Sequence, residues 1–271
     1  MRITSRNARF QQWESLLSNR NKRQRLGEFL VQGVRPISLA VEYGWPIHAL
    51  LHDTGRRLSG WAAELLRTAS VDTEVVAMAP ELLAELGEKN EDAPELIAVV
   101  GLPADDLGRI PVRDDFLGVL FDRPTSPGNI GSILRSADAF GAHGMIVSGH
   151  AADVYDSKSV RASTGSLFAL PAVRVPSHRE VAAWRAEHPS VRLVGTDEHG
   201  DCEVFDFDFT QPTLLLIGNE TSGLSTAWRD LCDYTVSIPM TGSASSLNAA
   251  NAATAVLYEA ARQRIAAARD A

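Results

Sequence analysis

The sequence predicts an α/β protein in two parts. Three observations carry that reading. In the first hundred residues, short apolar runs rich in β-branched residues alternate with stretches of helical period. In the second half, five runs are apolar on both faces, the signature of a buried and mostly parallel sheet. Between them lies "LPADDLGRIPVRDD", Leu102–Asp115, polar and punctuated by Pro and Gly. The boundary falls near residue 110, giving domains of 1–109 and 110–271.

Element by element, "EFLVQG" (28–33) reads as a strand and "RPISLAVEYG" (35–44) as a helix ended by Gly44. "PIHALLHD" (46–53) is a strand and "GWAAELLRT" (60–68) a helix. "TEVVAM" (73–78) is a strand, and "APELLAELGEK" (79–89) a helix whose Pro80 suits the first turn. "ELIAVVG" (95–101) closes the first part. His48 and His52 lie four apart on a strand and lack a third ligand, so they read as structural. The second part has strands "FLGVLFD" (116–122), "GMIVSG" (144–149), "RLVGTD" (192–197), "TLLLIG" (213–218) and "YTVSIP" (234–239). In "PGNIGSILRSADAFG" (127–141), Ile130, Ile133, Leu134, Ala137 and Phe140 form a buried helical stripe. Ser132, Arg135 and Ser136 lie off it, so Arg135 faces solvent or the mouth of a pocket. The last stretch, "SSLNAANAATAVLYEAARQRIAAARDA" (245–271), is alanine-rich and reads as one long helix.

Composition narrows the class. A hydrophobic fraction of 45% with 22% charged residues suits a water-soluble globular chain. No apolar run approaches about eighteen residues, so no membrane span is expected. "MRITSRNARF" lacks the apolar core of a secretory signal. Cys202 and Cys232 show no paired spacing, which suggests a reducing compartment, the cytoplasm, and no zinc site.

Charge is unevenly spread. Residues 1–26 carry Arg2, Arg6, Arg9, Arg20, Lys22, Arg23 and Arg25 against Glu14 alone. With a net charge of −8 for the whole chain, that +6 segment sits on a remainder of −14. A basic arm on an acidic body suits local phosphate binding; a solvated helix with an arginine face would read the same way.

In open α/β sheets, ligands sit beyond the carboxyl ends of the strands. Four such ends carry glycine and small polar residues: "RPTSPGNIGSILR", "GTDEHG", "GNETSGLS" and "MTGSASSLNAAN". Together they favour one pocket. A dinucleotide fingerprint is missing, since "GNIG" is not G-x-G-x-x-G. Asp197, Glu198, His199 and Asp201 offer metal-ligand types, but consecutive loop residues point apart, and a solvated acidic turn fits them better.

Three stretches, "PGNIGSILRSADAFG", "LLLIGNETSGLS" and "SIPMTGSASSLNAANAATAVLYE", resemble the signature motifs of the SPOUT superfamily in its SpoU/TrmH branch. These are S-adenosylmethionine-dependent RNA 2′-O-methyltransferases. Asn129 to Arg135 matches the first motif's N-x₅-R, Gly218-Asn219-Glu220 the second and Ser246-Leu247-Asn248 the third. "SKSVRASTGSLFALP" (157–171) is similar to the branch's middle segment, and the likeness covers nearly all of 114–262. "GEFLVQGVRPI" resembles the opening of the branch's amino-terminal, ribosomal-protein-like RNA-recognition domain. As a whole, the chain is most similar to the avilamycin-resistance type of 23S rRNA uridine 2′-O-methyltransferase.

The resemblance implies an α/β-knot methyltransferase domain tied as a trefoil, S-adenosylmethionine as cofactor, no metal and a homodimer whose subunits share the site. It implies Arg135 as the residue acting on the ribose hydroxyl or the substrate phosphate, supported by Asn129. Glu220, Ser246 and Asn248 would hold cofactor and ribose. Thr196, Gly218, Asn219, Ile238 and Leu247 would bind the cofactor. For RNA, the candidates are Arg6, Arg9, Arg20, Lys22, Arg23, Arg25 and Arg161. The expected substrate is 23S rRNA; a tRNA target, or an RNA-binding module without activity, are the alternatives.

Overall fold

The alternation in the first hundred residues folds as one sheet clothed by helices. The computed structural model describes residues 1–88 and 93–270, and the chain divides into two units. The first holds Met1–Pro103 together with Tyr155–Ala169; the second holds Ala104–Val154 and Leu170–Ala271. The stretch 155–169, expected in the second domain, therefore packs with the first unit, and residues 104–109 belong with the second.

In the first unit, β1 (Arg2–Ile3) is followed by α1 (Ala8–Ser18), α2 (Arg20–Leu26), β2 (Glu28–Gln32), α3 (Val34–Glu42) and β3 (Ile47–Asp53). Then come α4 (Gly60–Thr68), β4 (Glu74–Met78), α5 (Pro80–Leu86) and β5 (Leu96–Gly101). The sheet order is β1-β4-β3-β5-β2. β4 runs parallel to β1 and β3, while β5 is antiparallel to β3 and β2. β1 is too short to carry a periodic signal, and sequence reading missed it. The expected helix over 79–89 ends at Leu86; Lys89 lies outside the described residues.

Residues 1–26 do not form an arm. Helix α1 buries Phe10, Trp13 and Leu16 in the core with Leu51, Met78 and Leu83. Three arginines of the segment, Arg6, Arg9 and Arg23, are engaged within the fold. Arg6 is paired with Glu14 and Glu85, and Arg9 bonds Glu74 at 3.0 Å while its guanidinium lies 4.8 Å from the centre of the Trp13 ring. Arg23 is 1% exposed and donates to the Leu16 and Leu17 carbonyls at 2.5 and 3.1 Å. Those carbonyls belong to the last turn of α1, which has no intrahelical donors left for them. Arg23 is thus a helix cap, and the expectation that it contacts RNA from the surface is corrected. Arg25 is exposed and Lys22 half-buried.

The second unit begins with a 3₁₀ turn, Leu107–Arg109, then β6 (Leu117–Asp122), α6 (Pro127–Ala139) and β7 (Gly144–Ser148). After β7 the chain visits the first unit as α7 (Ser157–Ser163) and α8 (Ser166–Ala169). It returns through β8 (Ala172–Val175), α9 (His178–Glu187), β9 (Arg192–Thr196), β10 (Cys202–Glu203), β11 (Thr213–Ile217), α10 (Thr226–Arg229) and β12 (Tyr234–Ser237) to α11 (Ala249–Asp270). The seven strands are all parallel, in the order β10-β12-β9-β11-β6-β7-β8. β8 and β10 are short and were not read from sequence. β6, β7 and β11 are buried along their whole length, as strands covered on both faces must be.

Helix α11 packs beside α6, and its far end is fixed to the strand starts. Arg264 donates to the Phe209 and Phe116 carbonyls at 2.9 and 3.0 Å, and Gln263 accepts from the Phe209 N–H at 2.8 Å. No helix among the described residues is long and apolar enough to cross a membrane.

Candidate active site

Helix α6 starts where strand β6 ends, and local sequence dictates the turn. Ser126 caps the helix through its hydroxyl, accepting from the Asn129 N–H at 3.4 Å, and Pro127 occupies the first turn. The stripe read from sequence is buried at Ile130, Ile133, Leu134 and Ala137. Before the turn, Asp122 is 1% exposed and accepts from the Ser225 N–H at 2.9 Å and from Arg123 at 3.1 Å. Arg123 sits in the left-handed region at φ 49°, which aims its carbonyl at the Asn219 amide, 2.7 Å away.

Glu220 ties the turn to the loop after β11. One of its carboxylate oxygens accepts from the Thr125 N–H at 3.1 Å and the Thr125 hydroxyl at 3.0 Å. The other accepts from the Ser126 N–H at 3.1 Å and the Asn129 amide at 3.0 Å. Partial burial pushes the Glu220 carboxyl upward, but the hydrogen bonds from Thr125, Asn129 and Ser126 outweigh it and hold the group below the usual carboxylate range. Glu220 is therefore ionised at neutral pH. The Asn129 carbonyl oxygen in turn accepts from the Asn248 amide at 3.2 Å. Asn248 also accepts from the Ala250 N–H at 2.9 Å, so it caps α11. The single long helix expected over 245–271 consequently starts at Ala249, leaving Ser245–Asn248 as loop.

Asn219 shapes the loop itself. Its side-chain oxygen accepts from the N–H and hydroxyl groups of Thr221 and Ser222 at 3.0–3.1 Å. Its backbone pairs both ways with Gly223 at 3.0 Å. A Cβ on Gly218 would stand 2.4 Å from the Gly223 and Leu224 backbone, so only glycine fits.

These loops enclose a cavity of about 460 Å³. Thr196, Gly218, Asn219, Ile238 and Leu247 line it, as do Glu220 and Ser246. Asn129 and Asn248 do not line it but connect to it through Glu220. Arg135 is exposed on α6, away from the cavity wall, with no polar partner among the described residues. Sequence reading did not name Asp197, Glu198, Arg229 and Met240 as cofactor contacts, yet they line the cavity, with Arg229 3.7 Å from Asp197. The rule of strand carboxyl ends pointed to all of these but Arg229. Asp201 is occupied elsewhere, accepting from the Thr235 N–H and hydroxyl at 2.8 and 2.9 Å. No group of three or more potential metal ligands occurs among the described residues.

The cavity fits S-adenosylmethionine in kind. Ile217, Ile238 and Leu247 offer apolar wall to a base, the glycine turn brings backbone close, and Asp197, Glu198 and Glu220 suit a cation.

Comparison with known proteins assigns the arrangement. The profile described as the SpoU L30e-like domain matches residues 7–98, and that of the SpoU rRNA Methylase family matches 117–258. The chain belongs to the SpoU rRNA methylase family. It is 78% identical over 268 residues to the 23S rRNA (uridine(2479)-2′-O)-methyltransferase of Streptomyces viridochromogenes, covering 97% of this chain and 93% of that one. The crystal structure of the SpoU methyltransferase AviRb from Streptomyces viridochromogenes, in complex with the cofactor AdoMet, superposes with a TM-score of 0.92. That pair is 76% identical and covers 96% of this chain and 99% of the other. An AdoMet-bound rRNA methyltransferase from Sinorhizobium meliloti, 27% identical and covering 97% of each chain, superposes at 0.86. In this SpoU chain the parallel sheet falls in the part that the methylase profile matches.

Proposed function

We infer that this chain is an S-adenosylmethionine-dependent RNA 2′-O-methyltransferase whose substrate is a uridine of 23S rRNA. One observation carries the reading. Asn129 in the first turn of α6, and Glu220 and Asn248 from two loops distant in sequence, join through hydrogen bonds beside the cavity that the five cofactor candidates line. The 78% identity to a 23S rRNA uridine methyltransferase supports the substrate, and the likeness to an AdoMet-bound structure supports the cofactor.

When bound, S-adenosylmethionine supplies a methyl group activated by its sulfonium. The chain's own task is alignment, because displacement at that carbon demands an in-line oxygen. Glu220 has both oxygens saturated by donors, so it orients the turn rather than taking a proton. Among the described residues, no histidine lines the cavity. Arg135, exposed and without a polar partner among the described residues, is free to hold a substrate phosphate in a planar fork and to stabilise charge developing on the ribose oxygen.

The reading includes a homodimer. Arg135 lies off its own cavity wall, and α11 presents Tyr258 at 59% and Ile265 at 55% exposure. Arg135 would then serve the partner's cavity. Ribosomal RNA as substrate places the work in the cytoplasm. Incubation of unmodified 23S rRNA and tRNA transcripts with labelled cofactor tests the assignment, with the methylated ribose mapped by mass spectrometry of nuclease fragments. Label on one uridine of 23S rRNA is expected. Label confined to tRNA, or none with a folded cofactor-binding protein, overturns it.

A further inference from the structure

A second cavity, of about 820 Å³, lies within the first unit. It opens between the start of α3, the segment entering α4, and α7. Four arginines border it: Arg35, Arg56, Arg57 and Arg161. Two are committed. Arg56 lies 3.1 Å from the Asp53 carboxylate and donates to the Ala93 carbonyl at 2.7 Å, and Arg161 is bound to Glu88. Arg35 and Arg57 are exposed and have no polar partner among the described residues. Among the described residues that line the cavity the one acid is Glu95, and it is already satisfied, accepting from the Ser59 N–H at 2.9 Å and the Ser59 hydroxyl at 2.7 Å.

The floor has a different character. Trp61 lines it half-buried, its ring pinned where the indole N–H donates to the Ser38 hydroxyl at 3.0 Å. Free guanidiniums and a fixed aromatic surface lining one cavity are the chemistry that recognises a nucleotide: a base stacks on the ring while phosphate takes the charge. An acidic peptide would satisfy the arginines but leave the indole unused. The rival basic surface, residues 1–26, has spent Arg6, Arg9 and Arg23 on contacts within the fold.

We propose that this cavity receives an unstacked nucleotide of the RNA substrate, its base against Trp61 and its flanking phosphates on Arg35 and Arg57. The proposal rests on the RNA reading above, and the experiment separates the two. Binding of the full chain to a 23S rRNA transcript, and to a short single-stranded RNA, is measured by fluorescence anisotropy across a salt series. Methyl transfer by the unaltered chain is scored separately. The doubly reversed variant Arg35→Glu/Arg57→Glu should weaken RNA binding by about tenfold or more and lower the salt slope of log affinity by about two. Its melting temperature and S-adenosylmethionine affinity should not move, while KM for RNA rises by the same factor as the dissociation constant. Trp61→Ala should weaken binding about fivefold or more, and Trp61→Phe should restore most of it. RNA affinity of the double variant within twofold of the unaltered chain overturns the cavity assignment, even where methyl transfer proceeds. Equal or tighter binding of a glutamate-rich peptide, lost in the double variant, overturns it in favour of a protein partner. Failure of the unaltered chain to bind any RNA overturns both readings.

Discussion

Glu220 spends both carboxylate oxygens on the turn that begins α6, and that makes its charge a structural asset. In Glu220→Gln, an amide NH₂ would face donors. The variant should lose about 1 kcal/mol of stability, because half-buried donors go unmet, and should bind S-adenosylmethionine more weakly. Calorimetric melting and titration read both. The pH dependence has a definite sign. A carboxyl held below its ordinary value in the folded state stabilises above the unfolded value, near 4.5, and loses that contribution as pH falls through the folded value. The stability gap between the unaltered chain and Glu220→Gln should therefore be full at pH 7 and shrink below about pH 4.5. Arg135 makes the opposite case. It is exposed and off the buried stripe, so Arg135→Ala should cost under about 1 kcal/mol of stability. Turnover on the RNA substrate should still fall by about a hundredfold or more, since the guanidinium acts where charge develops. Arg135→Lys should rescue poorly, because an ammonium cannot reproduce the fork. Methyl transfer by Arg135→Ala within a few-fold of the unaltered chain would remove the assigned role.

At the scale of elements, caps decide where chemistry can sit. Asn248 ends the loop and starts α11 in one residue, and so Ser246 and Leu247 reach the cavity instead of continuing a helix. The alanine-rich run could not reveal this, because propensity favours helix throughout and one asparagine side chain overrides it. Periodicity did reveal the long strands and the α6 stripe, where burial repeats over several residues. It missed β1, β8 and β10, which have two to four residues and owe their pairing to neighbouring strands. The cavity-lining residues were legible because glycines and small polar residues cluster at strand ends; the bond between Asn129 and Asn248 joins positions far apart in sequence, and only folding discloses it. Arginine counting misled for the opposite reason: a count cannot tell a surface cation from a cap. Arg23→Ala should strip two last-turn carbonyls of their donor and leave a buried gap, costing about 2–4 kcal/mol. A melting curve checks this. Full stability in Arg23→Ala would return that residue to the surface role.

For the whole molecule, the open question is whose Arg135 serves which cavity, and a mixture of inactive proteins decides it. The trefoil topology and dimer that the resemblance implies could not have been read from composition, since chain threading and self-association leave no periodic trace. The structure supplies the geometric motive: Arg135 stands on α6, outside its own cavity wall, while α11 beside it exposes Tyr258 and Ile265. Light scattering should give twice the chain mass at micromolar concentration, and Tyr258→Asp/Ile265→Asp should give the single-chain mass with activity lost. One inactive partner for mixing is Arg135→Ala, whose cavity is intact. The other is Ile238→Trp, which fills the cavity and keeps Arg135. If Arg135 acts across a two-fold interface, a mixed dimer contains one complete site, formed by the intact cavity of one subunit and the arginine of the other. After exchange at equal concentrations, half the dimers are mixed, so activity should recover to about a quarter of the unaltered level. If Arg135 serves its own subunit, neither subunit of any dimer holds both parts, and the mixture stays as inactive as its components.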